Sequence, residues 1–169
     1  TKALAASIDL GGQPDSIAVS PDGQYAAVVI ENERDEDLGD GNPPQLPAGT
    51  LIIVNTSSTD PSNWTTSVVD LTGVADLFPS DPEPEYVDIN SDNIAVVTLQ
   101  ENNHLILVDL SDGSILNDFS AGSVNLANID TEEEDSAIIS QTESEDAVVR
   151  EPDGVAWITN EYFATADEG

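Results

Sequence analysis

The chain has 169 residues and carries 34 Asp+Glu against 3 Lys+Arg, a formal charge of −31, with no Cys and one His. That balance excludes a cationic footprint for nucleic acid or anionic lipid, thiolate chemistry, disulfides and multi-histidine metal sites. Hydrophobic residues make up 38% of the chain, enough for a packed core, yet no apolar run nears the roughly 18 residues of a membrane span. Such acidity suits a solvated surface in salty surroundings and, at chosen carboxylates, the binding of hard cations such as Ca²⁺.

The opening Thr1-Lys2-Ala3-Leu4-Ala5-Ala6-Ser7 is already strand-like and shows no secretory leader, so a mature or excised piece is expected. Residues 3–10 read as an outer strand. A signature then appears three times: Pro14-Asp15-Ser16-Ile17-Ala18-Val19, Pro84-Glu85-Tyr86-Val87-Asp88-Ile89 and Pro152-Asp153-Gly154-Val155-Ala156-Trp157. The Pro-to-Pro spacings are 70 and 68. A second strand follows each copy: Tyr25–Asn32, Ile94–Asn102 and Tyr162–Gly169. Ser20-Pro21-Asp22-Gly23 and Asn90-Ser91-Asp92-Asn93 are tight turns between them. The first copy continues with strands at Thr50–Val54 and Thr65–Leu71, the second with His104–Leu110 and Ser114–Phe119, joined by the hairpin signal Ser111-Asp112-Gly113. No sustained helical period is present, although Asp130–Ala147 has room for a turn or two of helix.

Four short antiparallel strands per repeat predict an all-β chain built as a β-propeller. Residues 14–72 and 84–121 are two blades, 122–151 an acidic loop, and 153–169 the first two strands of a further blade. About two and a half blades do not close a ring of 4 to 8. The expectation is a fragment of a larger propeller, whose open edges pair with the remainder of the protein or with a second copy.

Propeller connectivity puts the long loops on one rim, where binding sites usually lie. Asp15, Glu85 and Asp153 occupy one repeat position there, and Glu31, Glu101 and Glu168 another. They form a predicted carboxylate crown, which calls for Ca²⁺ as counter-ion. Asp35, Asp37 and Asp40 in the first long loop are further candidate ligands, although they do not follow the EF-hand spacing. Arg34 and Arg150 stand on the same rim and are candidate anion binders, or partners of neighbouring acids. His104 opens its strand in the polar context Asn102-Asn103-His104 and is expected to be a residue of the loop end rather than a catalyst. Asn55-Thr56-Ser57 and Asn63-Trp64-Thr65 are glycosylation triplets that arise easily by chance.

Pro84-Glu85-Tyr86-Val87, the run Val97–Asn103 with Leu107-Val108-Asp109-Leu110, and Pro152–Ala156 leading to Thr165–Gly169 resemble secreted bacterial β-propellers. These are the phytase-like family and the related choice-of-anchor I proteins, and the resemblance runs over nearly the whole chain. It implies an extracellular or periplasmic, calcium-dependent propeller, with phosphoester hydrolysis as the associated activity. Two readings follow. One is a Ca²⁺-dependent phosphoesterase in which the crown holds metal and Arg34 and Arg150 hold the phosphoryl oxygens. The other is a non-catalytic, calcium-stabilised scaffold for surface attachment or protein–protein interaction.

Overall fold

The computed structural model describes residues 3–32, 35, 37–39, 41, 43–131 and 139–168. Their strands form two four-stranded antiparallel sheets and two strand pairs. The first sheet is β1 (Gln13–Val19), β2 (Tyr25–Glu31), β3 (Thr50–Asn55) and β4 (Thr65–Asp70), in sequence order. The second is β5 (Pro84–Ile89), β6 (Ile94–Leu99), β7 (His104–Asp109) and β8 (Ile115–Ser120). A hairpin of β9 (Ser123–Ile129) and β10 (Glu143–Val149) follows, then a pair of β11 (Pro152–Trp157) and β12 (Phe163–Asp167). This is the all-β, propeller-like arrangement of four-stranded blades that the repeats predict.

The strand sequences explain the layering. β2 reads Ala26-Ala27-Val28-Val29-Ile30, buried on both faces, because it lies inside its sheet with further residues packed on either side. One face of the first sheet (Ala27, Val29, Leu51, Ile53) meets Val87, Ala95, Val97, Ile106 and Val108 of the second in a single apolar core. The opposite face of the second sheet (Val96, Leu105) packs on Val155, with Trp157 and Phe163 alongside. Trp157 and Phe163 meet edge to face with ring centroids 5.2 Å apart, a favoured aromatic geometry.

On the short-turn rim the sheets are tied turn to turn. Asn93 Nδ2 donates to Asp22 Oδ2 at 2.9 Å, and Asn160 Nδ2 donates to Asp92 Oδ2 at 2.9 Å. Each turn thus lends a carboxylate to an asparagine of the next.

Two expectations change. Residues 3–10 form no strand; Ile8 and Leu10 instead pack on the outer aliphatic face of β2 and β3. A strand needs a ladder partner, and among the described residues none pairs with this segment. The stretch 122–151 is no plain loop but the β9–β10 hairpin, and no helix forms among its described residues. Val124 and Leu126 alternate half-buried with exposed neighbours, a short period-2 signal that the surrounding acids obscure. His104 opens β7, where the predicted strand begins, and is only 4% exposed.

Candidate functional site

The signature Pro-acid-x proves to be a bulge. The register of β1 against β2 shifts between Pro14 and Ile17, of β5 against β6 between Pro84 and Val87, and of β11 against β12 between Pro152 and Gly154. Proline cannot donate to a ladder, and a bulge re-aims the side chain it carries. In each case that side chain is the acid: Asp15, Glu85 or Asp153.

Two of these acids and Glu31 come together. Asp15, Glu31 and Glu85 each place a carboxylate oxygen within 4.8 Å of the others, with Asp15 exposed and the two glutamates partly buried. Like charges at this distance cannot all ionise cheaply. Burial, then the charges of Glu31 and Asp15, a hydrogen bond to Glu31 and the charge of Asp153 push Glu85 up to about 8. At neutral pH Glu85 therefore keeps its proton and shares it with Glu31. A site that holds a proton this way also suits a hard divalent cation, which oxygen ligands bind at comparable spacing.

Strand register revises the second rank of the crown. Pro14 pairs with Ile30, Pro84 with Leu99 and Pro152 with Asp167. The next residue along is Glu31, Gln100 or Glu168, so Gln100 holds the position expected of Glu101. Glu101 lies in the turn between β6 and β7. Gln100 Nε2 donates to Glu168 Oε2. A neutral amide thus interrupts the ring of charge. The Glu-Asn dipeptide suggests a different alignment because the second repeat carries an extra residue before its turn.

Asp35 Oδ1 accepts from Asp37 N at 3.0 Å, and Asp35 is tied through its backbone to the Gln45 side chain. Asp40 and Arg34 lie outside the described residues. Arg150 Nη1 reaches Asp167 Oδ2 at 3.2 Å, so its charge is engaged by an acid on β12. The imidazole of His104 pairs through Nε2 with Asp118 Oδ1 at 3.1 Å.

Sequence reasoning misses the residues that hold this rim in shape. Asn102, 2% exposed, donates to the carbonyls of Leu77, Phe78 and Asp81 and accepts from Glu83 N. It fixes the segment that delivers Pro84 and Glu85. Asn103 adopts φ 49, a left-handed turn conformation that asparagine tolerates. It donates to Gly122 O and accepts from Arg150 N and Glu151 N, fixing the start of β11. Two adjacent asparagines after a strand are legible as a turn; their full use of side-chain hydrogen bonds is not. Gly49 N donates to Pro82 O at 2.9 Å, and Gln45 N donates to the fully buried Asp81 at Oδ2. The two long connections are thereby joined. A cavity of about 290 Å³ beside Glu31 is lined by Leu10, Gln13, Ile30, Asn32, Pro47 and Thr50.

No helix among the described residues is long and apolar enough to cross a membrane. No curated protein matches the chain. The choice-of-anchor I domain matches residues 2–169, which carries that side of the resemblance and not the phytase-like one. The chain therefore belongs to the choice-of-anchor I family, a class of secreted or surface-associated β-domains.

Proposed function

We propose that this chain is a calcium-stabilised extracellular propeller module that serves as a scaffold at the cell surface, with Ca²⁺ held by Asp15, Glu31 and Glu85. The observation that carries this reading is the approach of three carboxylates to within 4.8 Å across two sheets. Displacement of the Glu85 proton by Ca²⁺ would replace the Glu85–Glu31 hydrogen bond with an ionic bridge between the first and second sheets. Ca²⁺ accepts 6–8 oxygens, so water and neighbouring backbone oxygens complete its shell. The test is a melting curve at pH 7.5 in CaCl₂ and in EDTA. The reading expects a higher midpoint with Ca²⁺, and an effect lost in Glu85→Gln. Identical curves in the two buffers remove calcium from the account.

Phosphoester hydrolysis is the second reading, favoured by the cavity beside Glu31. A cation at the cluster would bind phosphate there and polarise an attacking water. The engagement of Arg150 with Asp167 leaves that residue poorly placed to hold a phosphoryl group, which makes the scaffold the stronger reading. Turnover of p-nitrophenyl phosphate that needs Ca²⁺ and is lost in Glu85→Gln would reverse this order.

A further inference from the structure

The junctions between sheets are built from the same two halves each time. One half is the pair of residues three and five places after the signature proline. Val87 and Ile89, 2% and 5% exposed, sit in the core shared with the first sheet. Val155 and Trp157 pack on Val96 and Leu105 of the second. The other half is the second strand of the preceding sheet. Ala27 and Val29 of β2, and Val96 and Thr98 of β6, have no solvent exposure. Thr98 also works across its junction: its hydroxyl accepts from Tyr86 N at 3.0 Å and donates to Asp153 O at 2.9 Å.

Both halves recur uncovered on the outer faces. Ile17 and Val19 stand at the same two places after Pro14, yet they are 66% and 63% exposed. They pair with Val28 and Ala26, which puts them on the outer face of the first sheet. Ile8 and Leu10 cover that face over β2 and β3 and leave β1 bare. In the last strand pair, register sets Ala164 where Ala27 and Val96 stand in the other sheets, and Ala166 where Val29 and Thr98 stand. Val155, Trp157 and Phe163 turn towards the second sheet, so Ala156, Ala164 and Ala166 turn away from it. All three alanines are exposed. A cavity of about 380 Å³ opens over them, with Gly154 and Tyr86 also in its lining. The bare faces thus offer a ridge of branched side chains and a hollow floored by small ones, each at the positions that meet inside the chain.

We infer that these faces are the two halves of a head-to-tail interface between copies of this chain, with Ile17 and Val19 of one copy seated on Ala156, Ala164 and Ala166 of the next. It continues the series of junctions already formed between the sheets. Such a contact is heterologous, so it closes a ring or extends as a row of copies. Burial of Ile17 and Val19 drives it, and the charge of −31 on each copy opposes it. Association therefore strengthens with salt, the reverse of a contact held by ion pairs.

Light scattering on a sizing column tests this, in EDTA so that calcium plays no part. The salt is about 0.1 M and then about 1 M NaCl, between which the screening length falls from about 10 Å to about 3 Å. The wild type is expected at the mass of two or more copies in the higher salt. Val19→Asp and Ala164→Glu are each expected to stay monomeric there. Mixed, the two variants are expected to form a dimer, because Val19→Asp keeps the β11–β12 face and Ala164→Glu keeps the β1 face. Recovery in the mixture also shows that both variants are folded; should circular dichroism show Ala164→Glu unfolded, Ala156→Glu takes its place. A wild type that remains monomeric in about 1 M NaCl would leave both faces to a sheet from another polypeptide and overturns the inference. Association that neither substitution weakens, or a mixture no larger than its parts, overturns it as well. None of these outcomes bears on the calcium reading.

Discussion

At neutral pH Glu85 keeps its proton because burial and the charges of Glu31 and Asp15 hold it at about 8, against an ordinary 4.5. The folded state therefore binds a proton that the unfolded chain releases, and stability falls as pH rises. The contribution is fully present below about 4.5 and is lost as pH climbs through about 8. Urea midpoints measured in EDTA from pH 5 to pH 8.5 are expected to decline in the wild type. Glu85→Gln, which cannot ionise, is expected to show a shallower decline. Parallel profiles would mean that Glu85 is ionised in the fold. Added Ca²⁺ should flatten the wild-type profile, since the cation substitutes for the proton.

Elements on the two rims carry different burdens. On the short-turn rim the turns are linked through Asp22, whose pKa is lowered to about 2, first by the Asn93 side chain and then by Ser20 and Gln24. Here the folded value lies below the ordinary 3.8. Stability from this group is present above about 3.8 and is lost as pH falls through about 2. Asp22→Ala should lower the melting point at pH 6 and reduce the loss between pH 4 and pH 2; an unaltered acid limb would show the turn ladder to be decorative. On the long-loop rim, a Cβ at Gly49 would stand 2.3 Å from Pro84 Cδ and 2.6 Å from Pro82 O. Backbone cannot give way as a side chain does, so Gly49→Ala should cost roughly 1–3 kcal/mol in urea unfolding, the usual range for overpacking. A neutral Gly49→Ala would mean that the two long connections are free to part.

The same elements show what a sequence discloses. Pro14-Asp15, Pro84-Glu85 and Pro152-Asp153 were legible as the entry of a repeated strand, whereas the bulge at each is a matter of register that only the strand pairing reveals. The strands of both four-stranded sheets were legible from aliphatic runs and turn residues. The crown was legible in part: repeat spacing brought Asp15, Glu31 and Glu85 to one rim, but register, not dipeptide likeness, decides that Gln100 stands where Glu101 was expected. The β9–β10 hairpin was hidden because its apolar residues are few among many acids. The roles of Thr98, Asn102 and Asn103 were out of reach, since each depends on contacts between segments 12 or more residues apart.

The whole molecule carries −31 charges, and self-repulsion at that level opposes the compact state. Most of those acids are spread over solvent, where salt screens them within about 10 Å at 0.1 M. The cluster of Asp15, Glu31 and Glu85 differs because strand bulges force its members together across the seam between sheets. Ca²⁺ there would add an ionic bridge to the apolar contacts and hydrogen bonds through which the blades meet. The most direct measurement is an anomalous difference map from a crystal grown in CaCl₂ at pH 7.5. The account predicts a peak among the three carboxylates, with oxygens at about 2.3–2.6 Å. A map with no peak there, and with Glu85 still hydrogen-bonded to Glu31, would contradict it.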